Sequence, residues 1–566
     1  MPQDAFTLKY LCHELNDVFA GGKINRIVQP NNDEVVFTVY TGKCTKKLSL
    51  NVNPASPRIG IVNEEKDSPL TAPNFCMLLR KHLLSATINN ISLVGFDRIV
   101  KIDLTPSCEF FDDPQKSVYV ELMGRYSNVI LTENDKILGG NRGINVFDDG
   151  VRPLFVGKNY LFPPVGDKLE PTDKSLIDYY NNHAGDEISK LICSKVQGVA
   201  LSTAKEIQLL FFQEHGKNFE NFGEKLFKLS NKFLYNVNLN PCVIFDGNGV
   251  LKDVCVYPYK CIEGEFKCFD TLWEAEQFYF DEKEKAKQFK NNVERAKSIV
   301  STQIKKLKKK FSAISAKEKE ASLAENNRIF GELILSNIYM IKQGQSSCSC
   351  YDYYNDKYVD IPLDARLSPS KNAEVYFKKY NKQKRTLIAI TPQKESVLKD
   401  LAYFNSVMDE LELCETIDDL SHIYLELEQV GIIKPQNKSN KQVKYKPFRE
   451  YNVLGFIVLV GRNNTENDKL TFSSQPSDVW LHVKDYHSSH VIIKTEGKEV
   501  SEEVIIKSAS ICAYYSKCRE SGKAEVVYTL KKHVNKPSKT KPGFCIYDNF
   551  KSISVTPDKC VEFLKT

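Results

Sequence analysis

From Glu265 to Phe330 the sequence contains neither glycine nor proline. No other feature constrains the fold as strongly, because these two residues are the usual helix breakers. The stretch is rich in Lys and Glu. Ile299, Ile304, Leu307 and Phe311, then Ile329, Leu333 and Ile338, give it apolar positions for packing. At 1.5 Å per residue, a helix filling it reaches on the order of 100 Å. A second helical stretch runs from Asn372 to about Val430, and Pro392 within it predicts a kink or a break. Between them YDYYNDKYVDIPL reads as a short β-like tip. Two long helices joined by a short tip predict an antiparallel coiled-coil hairpin.

The flanking sequence alternates between strand and helix patterns, so the fold class is multidomain α+β. The length of 566 residues suits about four domains. In residues 1–175, Leu8, Leu11, Leu15 and Phe19 have helical spacing, and Gly21-Gly22 ends the helix. Strands follow at KINRIVQP, EVVFTVYT, KKLSLNV and RIGIVN, a helix after Pro73, and strands at TINNISLVGF, RIVKIDL, SVYVELM and SNVILT. Residues 176–270 are helical and then return to short strands. Within them, EISKLICSKVQGVALSTAKEIQLLF is a helix, a turn at Val196–Val199 and a helix. It reads either as a helix-hairpin-helix, whose turn aims N–H groups at a phosphate, or as an ordinary helical hairpin. Residues 271–435 form the long hairpin. Lys434 to Arg449 carries lysines and no acid, as a basic linker does. Residues 436–566 predict strands at GFIVLVG, DVWLHVK, HVIIKT, AEVVYTL and FCIYDN, with a helix from Ser501 to about Cys518. Glu502 and Glu503 open that helix and Lys517 and Arg519 close it, in agreement with its dipole.

Charged residues make up 27% and hydrophobic ones 42%, which excludes wholesale disorder and fibrous classes. No uninterrupted apolar run is long enough to span a bilayer, and the N-terminus lacks a basic-then-apolar secretory pattern. The 16 cysteines include no C-x-x-C, so buried reduced thiols in a cytoplasmic protein are expected.

The net charge of +6 names no partner; its distribution is more informative. From Val526 to Ile546 there is no acid, but Lys531, Lys532, Lys536, Lys539, Lys541 and His533 are present. Pro537, Pro542 and Gly543 hold that segment as a loop, which reads either as a phosphate contact or as a solvated charged loop. In IKKLKKKF, Lys305, Lys306, Lys308 and Lys309 fan out opposite the apolar stripe, either as an RNA contact or as a solvated face. His482, His487 and His490 fall close together, yet no set of acids or thiols with zinc spacing stands beside them. Hydrogen bonding or RNA contact is expected there, for His490 in particular, and no metal. There is no P-loop, G-x-S-x-G, H-E-x-x-H or dinucleotide fingerprint. No catalytic residue, cofactor or enzyme activity is predicted.

Longer blocks resemble a known family. FAGGKINRIVQP, PNFCMLLRKHL, FDRIVKI, ELMGRYSNVIL, SPSKNAEVYFKKYNKQK, VGRNNTENDKLTF, DVWLHVKD, SHVII and KPSKTKPGFCIY, in this order, resemble the NFACT proteins over nearly the whole chain. The resemblance implies a glycosylase-like N-terminal domain, a helix-hairpin-helix domain, a coiled-coil middle and a C-terminal RNA-binding domain. It implies binding to an obstructed large ribosomal subunit that carries peptidyl-tRNA. There the family recruits charged tRNA (alanine tRNA in bacteria) for mRNA-independent alanine tailing of the stalled chain, which marks it for degradation. A small RqcP-type helper protein is a further implied partner. The family's Asp-Arg pair falls on Asp97 and Arg98, implying tRNA recognition; Arg125 in ELMGRYSN is a further implied tRNA contact. The hairpin resembles the arm by which relatives reach toward the stalk base.

The chain also departs from the family. Asp485-Tyr486-His487-Ser488-Ser489-His490 lacks the family's Pro-Gly turn. Met1-Pro2-Gln3 is similar to the start of the glycosylases, but Gln3 cannot ionise as their glutamate does, so glycosylase chemistry is not expected. The competing reading is a fibronectin-binding surface adhesin, against which the missing secretory pattern and unpatterned cysteines speak.

Overall fold

The structure is a computed structural model. It describes residues 3–63, 68–106, 115–142, 152, 154–216, 219–247, 249–434, 448–538 and 540–564. The chain divides into two compact units, Met1–Ala286 and Lys287–Thr566.

The first unit opens with α1 (Ala5–Phe19), where Asp4 caps the helix by accepting the Thr7 N–H at 2.9 Å. The expected stripe of Leu8, Leu11, Leu15 and Phe19 is fully buried. Next come β1 (Lys23–Asn31), β2 (Glu34–Tyr40), β3 (Thr45–Asn51), β4 (Arg58–Val62), α2 (Asn74–Leu83), β5 (Thr87–Leu93), β6 (Ile99–Thr105), β7 (Lys116–Glu121), β8 (Asn128–Glu133) and β9 (Lys136–Gly140). They form one antiparallel nine-stranded sheet in the order β4-β3-β2-β1-β5-β6-β7-β8-β9. Four helices follow: α3 (Ser175–Asn182), α4 (Ile188–Lys195), α5 (Leu201–His215) and α6 (Phe222–Tyr235). A small sheet, β11-β10-β12, is built from β10 (Cys242–Phe245), β11 (Leu251–Cys255) and β12 (Glu265–Cys268). α1 lies in one continuous core with the sheet and these helices. The Phe6 ring, for example, stacks on Phe233 at 5.1 Å. Each such buried ring or leucine contributes roughly 1.5–3 kcal/mol.

The long helix is real but shorter than the glycine-free stretch allows. α7 (Leu272–Ser322) starts after β12, and the chain breaks at Leu323 before α8 (Ala324–Ser336). α8 lies so close to the next long helix that a Cβ on Gly331 would sit 2.9 Å from the Phe377 ring. The tip is the hairpin of β13 (Ser347–Asp352) and β14 (Lys357–Pro362). α9 (Pro369–Leu413) then continues unbroken across Pro392, so, of the expected kink or break, the break does not occur there. Pro392 is exposed, and Ile388, whose carbonyl loses its partner, is 68% exposed, so water can satisfy that carbonyl. The break comes instead before α10 (Ile417–Gln429), where Thr416 and Asp419 form a reciprocal capping box. Val293, Ala296, Val300 and Ile304 of α7 pack on Tyr403, Phe404, Val407 and Leu411 of α9, and Ile314 packs on Ile390 and Val397. The two helices therefore run antiparallel.

The C-terminal sheet has the order β15-β16-β18-β17-β19-β22. Its elements are β15 (Arg449–Val453), β16 (Phe456–Val460), α11 (Asn464–Ser473), β17 (Val479–Val483), β18 (Val491–Lys494), α12 (Glu502–Tyr514), β19 (Ala524–Leu530), β20 (Val534–Asn535), β21 (Ile546–Tyr547) and β22 (Lys551–Val555). Alternation along β17 sends Val479, Leu481 and Val483 to the α12 side and Trp480 to the α11 side. The strand expected at FCIYDN shrinks to Ile546–Tyr547, paired with β20. Among the described residues every cysteine is a free thiol, and no helix is long and apolar enough to cross a membrane.

Candidate nucleic-acid interface

In the first unit, Asp97 and Arg98 stand on the turn between β5 and β6. The turn closes where Val94 N–H donates to the Ile99 carbonyl at 2.9 Å. Asp97 Oδ1 accepts the Arg98 N–H at 2.7 Å, and the Arg98 carbonyl accepts from Leu122 N–H at 2.9 Å. Both residues line a cleft of about 320 Å³ together with Asp4, Met123, Lys168 and residues 197–200 of the α4–α5 turn.

One carboxylate holds that turn in place. Asp4 Oδ1 accepts from Thr7 at the start of α1, while Oδ2 accepts from Ala200 N–H at 3.0 Å and Thr203 Oγ1 at 2.7 Å at the start of α5. The turn is further fixed by Ala5 N–H donating to the Gly198 carbonyl at 2.8 Å. Gly198 has φ +72, and a Cβ there would lie 2.3 Å from the Phe96 carbonyl. Only glycine fits both the conformation and the approach. The Ala200 N–H, which the phosphate-binding reading of the turn would aim outward, is thus occupied by Asp4. The cleft offers mixed chemistry. Arg98 and Lys168 supply cations, and the carboxylate of Asp97 supplies acceptors. That combination can engage phosphate and the amino edges of bases.

Arg125 is exposed on the short turn Gly124–Tyr126, two residues beyond the cleft-lining Met123 and outside the lining itself. Its guanidinium lies 4.6 Å from the Tyr126 ring, which is 66% exposed. The rest of that block is structural. Glu121 is buried in a bidentate pair with Arg152 and accepts from Tyr160 Oη at 2.7 Å. Asp4 and Lys168 were not among the expected site residues. Asp4 could have been found as the N-cap before AFTL, whereas nothing in the sequence around Lys168 distinguishes it.

In the second unit the expected RNA contacts separate. Lys305, Lys306, Lys308 and Lys309 are exposed on α7, opposite the packed Ile304 and Leu307. Lys532 is exposed and Lys531 half-buried, 5.7 Å from the Phe472 ring. Lys536 pairs with Asp468, and Lys541 lies 3.2 Å from Asp400, so these two anchor their loop on α11 and α9. Lys539 and most of the basic linker (435–447) lie outside the described residues.

At His490, of the two expected roles the structure gives hydrogen bonding and not RNA contact. The residue is 1% exposed, hydrogen-bonded to Thr471 Oγ1 at 2.8 Å and packed against Trp480, so it cannot reach RNA. Burial holds its pKa well below the usual histidine value. Burial likewise lowers His482 and His487 to about 4. Among the described residues no group of histidines, thiols and carboxylates is arranged to hold a metal.

A family model described as NFACT N-terminal and middle domains matches residues 4–446, and one described as NFACT protein RNA binding domain matches residues 444–546. The chain is 32% identical to a Bacillus subtilis protein named Rqc2 homolog RqcH, over 97% of this chain and 96% of that one. It is 29% identical to a Streptococcus suis protein of the same name, over 98% of each. Among solved structures, the N-terminal part of the fibronectin/fibrinogen-binding protein from Streptococcus suis covers 49% of this chain and 99% of its own length, at 24% identity and a TM-score of 0.42. On the two family models and the near full-length relatives, the chain belongs to the NFACT family.

Proposed function

We propose that this protein acts in ribosome-associated quality control. It binds a large ribosomal subunit blocked by peptidyl-tRNA and recruits alanine tRNA, so that the stalled chain gains a C-terminal alanine tail without mRNA. The ribosome forms the peptide bond; the protein positions tRNA and is not itself an enzyme. It works in the cytoplasm, with a small RqcP-type protein as helper. The α4–α5 hairpin serves as a helix-hairpin-helix element whose turn walls the Asp97 cleft and does not offer its Ala200 N–H to phosphate, and α7 to α9 serve as a coiled-coil arm.

The observation that carries this reading is the cleft at Asp97 and Arg98, braced by Asp4 and Gly198, in a chain similar over nearly its whole length to proteins named Rqc2 homolog RqcH. Arg98 suits a phosphate or base edge and Asp97 a base amino group. The test is mass spectrometry of a truncated reporter that stalls in cells. Alanine extensions should appear with the wild-type gene and vanish with Asp97→Ala/Arg98→Ala. Extensions that persist in the double variant would refute the role given to the pair. A protein found on intact cell surfaces and not with large subunits would favour the adhesin reading.

A further inference from the structure

We propose that a second cleft, between α9 and the loop 540–544, holds one unstacked RNA base bearing an exocyclic amino group. This deepens the RNA-binding reading of the C-terminal domain and rests on it.

The cleft has a volume of about 300 Å³ and lies wholly within the second unit. Tyr403 of α9 forms one wall. Its ring is 4% exposed and its hydroxyl donates to Glu426 at 2.7 Å, so the ring is fixed. Pro542 and Phe544 of the loop line the cleft as well, and Phe544 is 55% exposed. A phenylalanine held at the mouth of a cleft, with half its surface in water, contributes little to a core and is available to a π face.

The polar groups are set by their neighbours. Asn464 is buried, and its Nδ2 donates to Ser406 Oγ at 3.0 Å and Glu426 Oε1 at 3.3 Å. Those two bonds fix the amide and turn its carbonyl oxygen toward the loop. A Cβ on Gly543 would lie 2.1 Å from that oxygen, so glycine permits the loop to seat there. Gly543 N–H also donates to Asp468 at 2.9 Å, and Lys541 pairs with Asp400, so the loop is held in position before any ligand arrives. The lining therefore combines aromatic and apolar walls with the half-buried carboxylate of Asp400, whereas Asn464 Oδ1 is covered by Gly543 and serves to seat the loop. A carboxylate acceptor suits an amino group on a base. Lys399, exposed on α9, stands at the rim for a flanking phosphate. The acid-free sequence from Val526 to Ile546 favours a polyanion over a protein side chain as the source of the ring.

The test uses the full chain and a short single-stranded RNA in which 2-aminopurine replaces one adenine. Stacking in the cleft should quench the probe on binding. Phe544→Ala should remove the quench and weaken binding roughly five- to a hundredfold. Ala402→Leu, on an exposed lining position of α9, should narrow the cleft and have the same effect. Both variants should melt as wild type does; if one does not, the other decides. Binding without quench, or quench that both variants retain, would overturn the proposal. So would failure to bind the RNA at all, while sedimentation of the same protein with large subunits separately decides the ribosomal reading. An equal affinity for 2-aminopurine ribonucleoside monophosphate would assign the cleft to a free nucleotide and overturn the RNA source.

Discussion

Asp4 shows how much one side chain decides in this protein. One oxygen caps α1, and the other accepts from the Ala200 N–H and the Thr203 hydroxyl at the start of α5, which joins the first helix to the turn that walls the Asp97 cleft. The cap is worth about 0.5–2 kcal/mol, and hydrogen bonds to a charged group about 1.5–3 kcal/mol. Asp4→Ala should therefore cost about 2–3 kcal/mol in denaturant unfolding of the first unit, and Asp4→Asn clearly less. Equal and negligible losses would mean these bonds carry no weight. The histidines of the second unit make a pH prediction. His482 and His487 are held neutral by burial, with pKa values of about 4 against an ordinary 6.5. The unfolded chain takes up their protons first. The stability they contribute is complete above about pH 6.5 and is lost as pH falls toward about 4, by at most about 3 kcal/mol per residue. Thermal melts of His487→Asn should show a shallower acid slope over that window; an unchanged slope would clear His487 of the effect.

At this scale the sequence is uneven evidence. Asp97-Arg98 is an ordinary dipeptide until the family blocks around it are read, because the groove that gives it meaning comes from Asp4 and Gly198, remote in sequence. His490 was expected to hydrogen-bond or to touch RNA. The structure gives it the first role, and only packing against Trp480 excludes the second.

Among the elements, periodicity located most helices and strands, since buried stripes repeat at fixed spacing. It misplaced the breaks. Pro392 was expected to interrupt α9 but sits on its solvent face, whereas the actual end is set by the capping box of Thr416 and Asp419. That motif is readable in the sequence as T-x-x-D but is outweighed by the proline until burial is known. Because Pro392 breaks no packing, Pro392→Ala should stabilise the second unit, by about 1–3 kcal/mol. A loss of stability on chemical denaturation would show that the proline shapes the helix instead. The break at Leu323 has no glycine or proline to announce it; there the Ser322 hydroxyl donates to the Lys319 carbonyl at 2.7 Å and Gln383 Nε2 to the Glu320 carbonyl at 3.2 Å, side-chain bonds that compete with the helix ladder.

Over the whole molecule, net charge is a poor guide because many cations are used internally. In the second unit, Asp409 takes Lys517 at 2.8 Å, Glu415 takes Lys559 at 2.6 Å, and Asp419 takes Arg449 at 2.7 Å. Lys517, expected to answer the α12 dipole, pairs instead with Asp409 of α9. Burial opposes ionisation of Glu415, but hydrogen bonds from Lys559, Tyr514 and Arg519 outweigh it and hold the carboxyl down at about 2. The lysines exposed on α7 are then the better candidates for ribosomal RNA. Replacing Lys305, Lys306, Lys308 and Lys309 with Gln should weaken sedimentation with large subunits. It should also flatten the dependence of binding on log salt, by about 0.7–0.9 for each phosphate that is no longer neutralised. An unchanged salt slope would leave these lysines as a solvated face.

The most direct test of the central claim is to purify tagged protein from its native cells and sequence the RNA that accompanies it, beside Asp97→Ala/Arg98→Ala. We predict large-subunit RNA with one enriched tRNA species, alanine tRNA, and loss of that tRNA alone in the double variant. Neither RNA with the wild-type protein would contradict the account. Subunit RNA with no enriched tRNA would reduce the protein to a ribosome-binding scaffold.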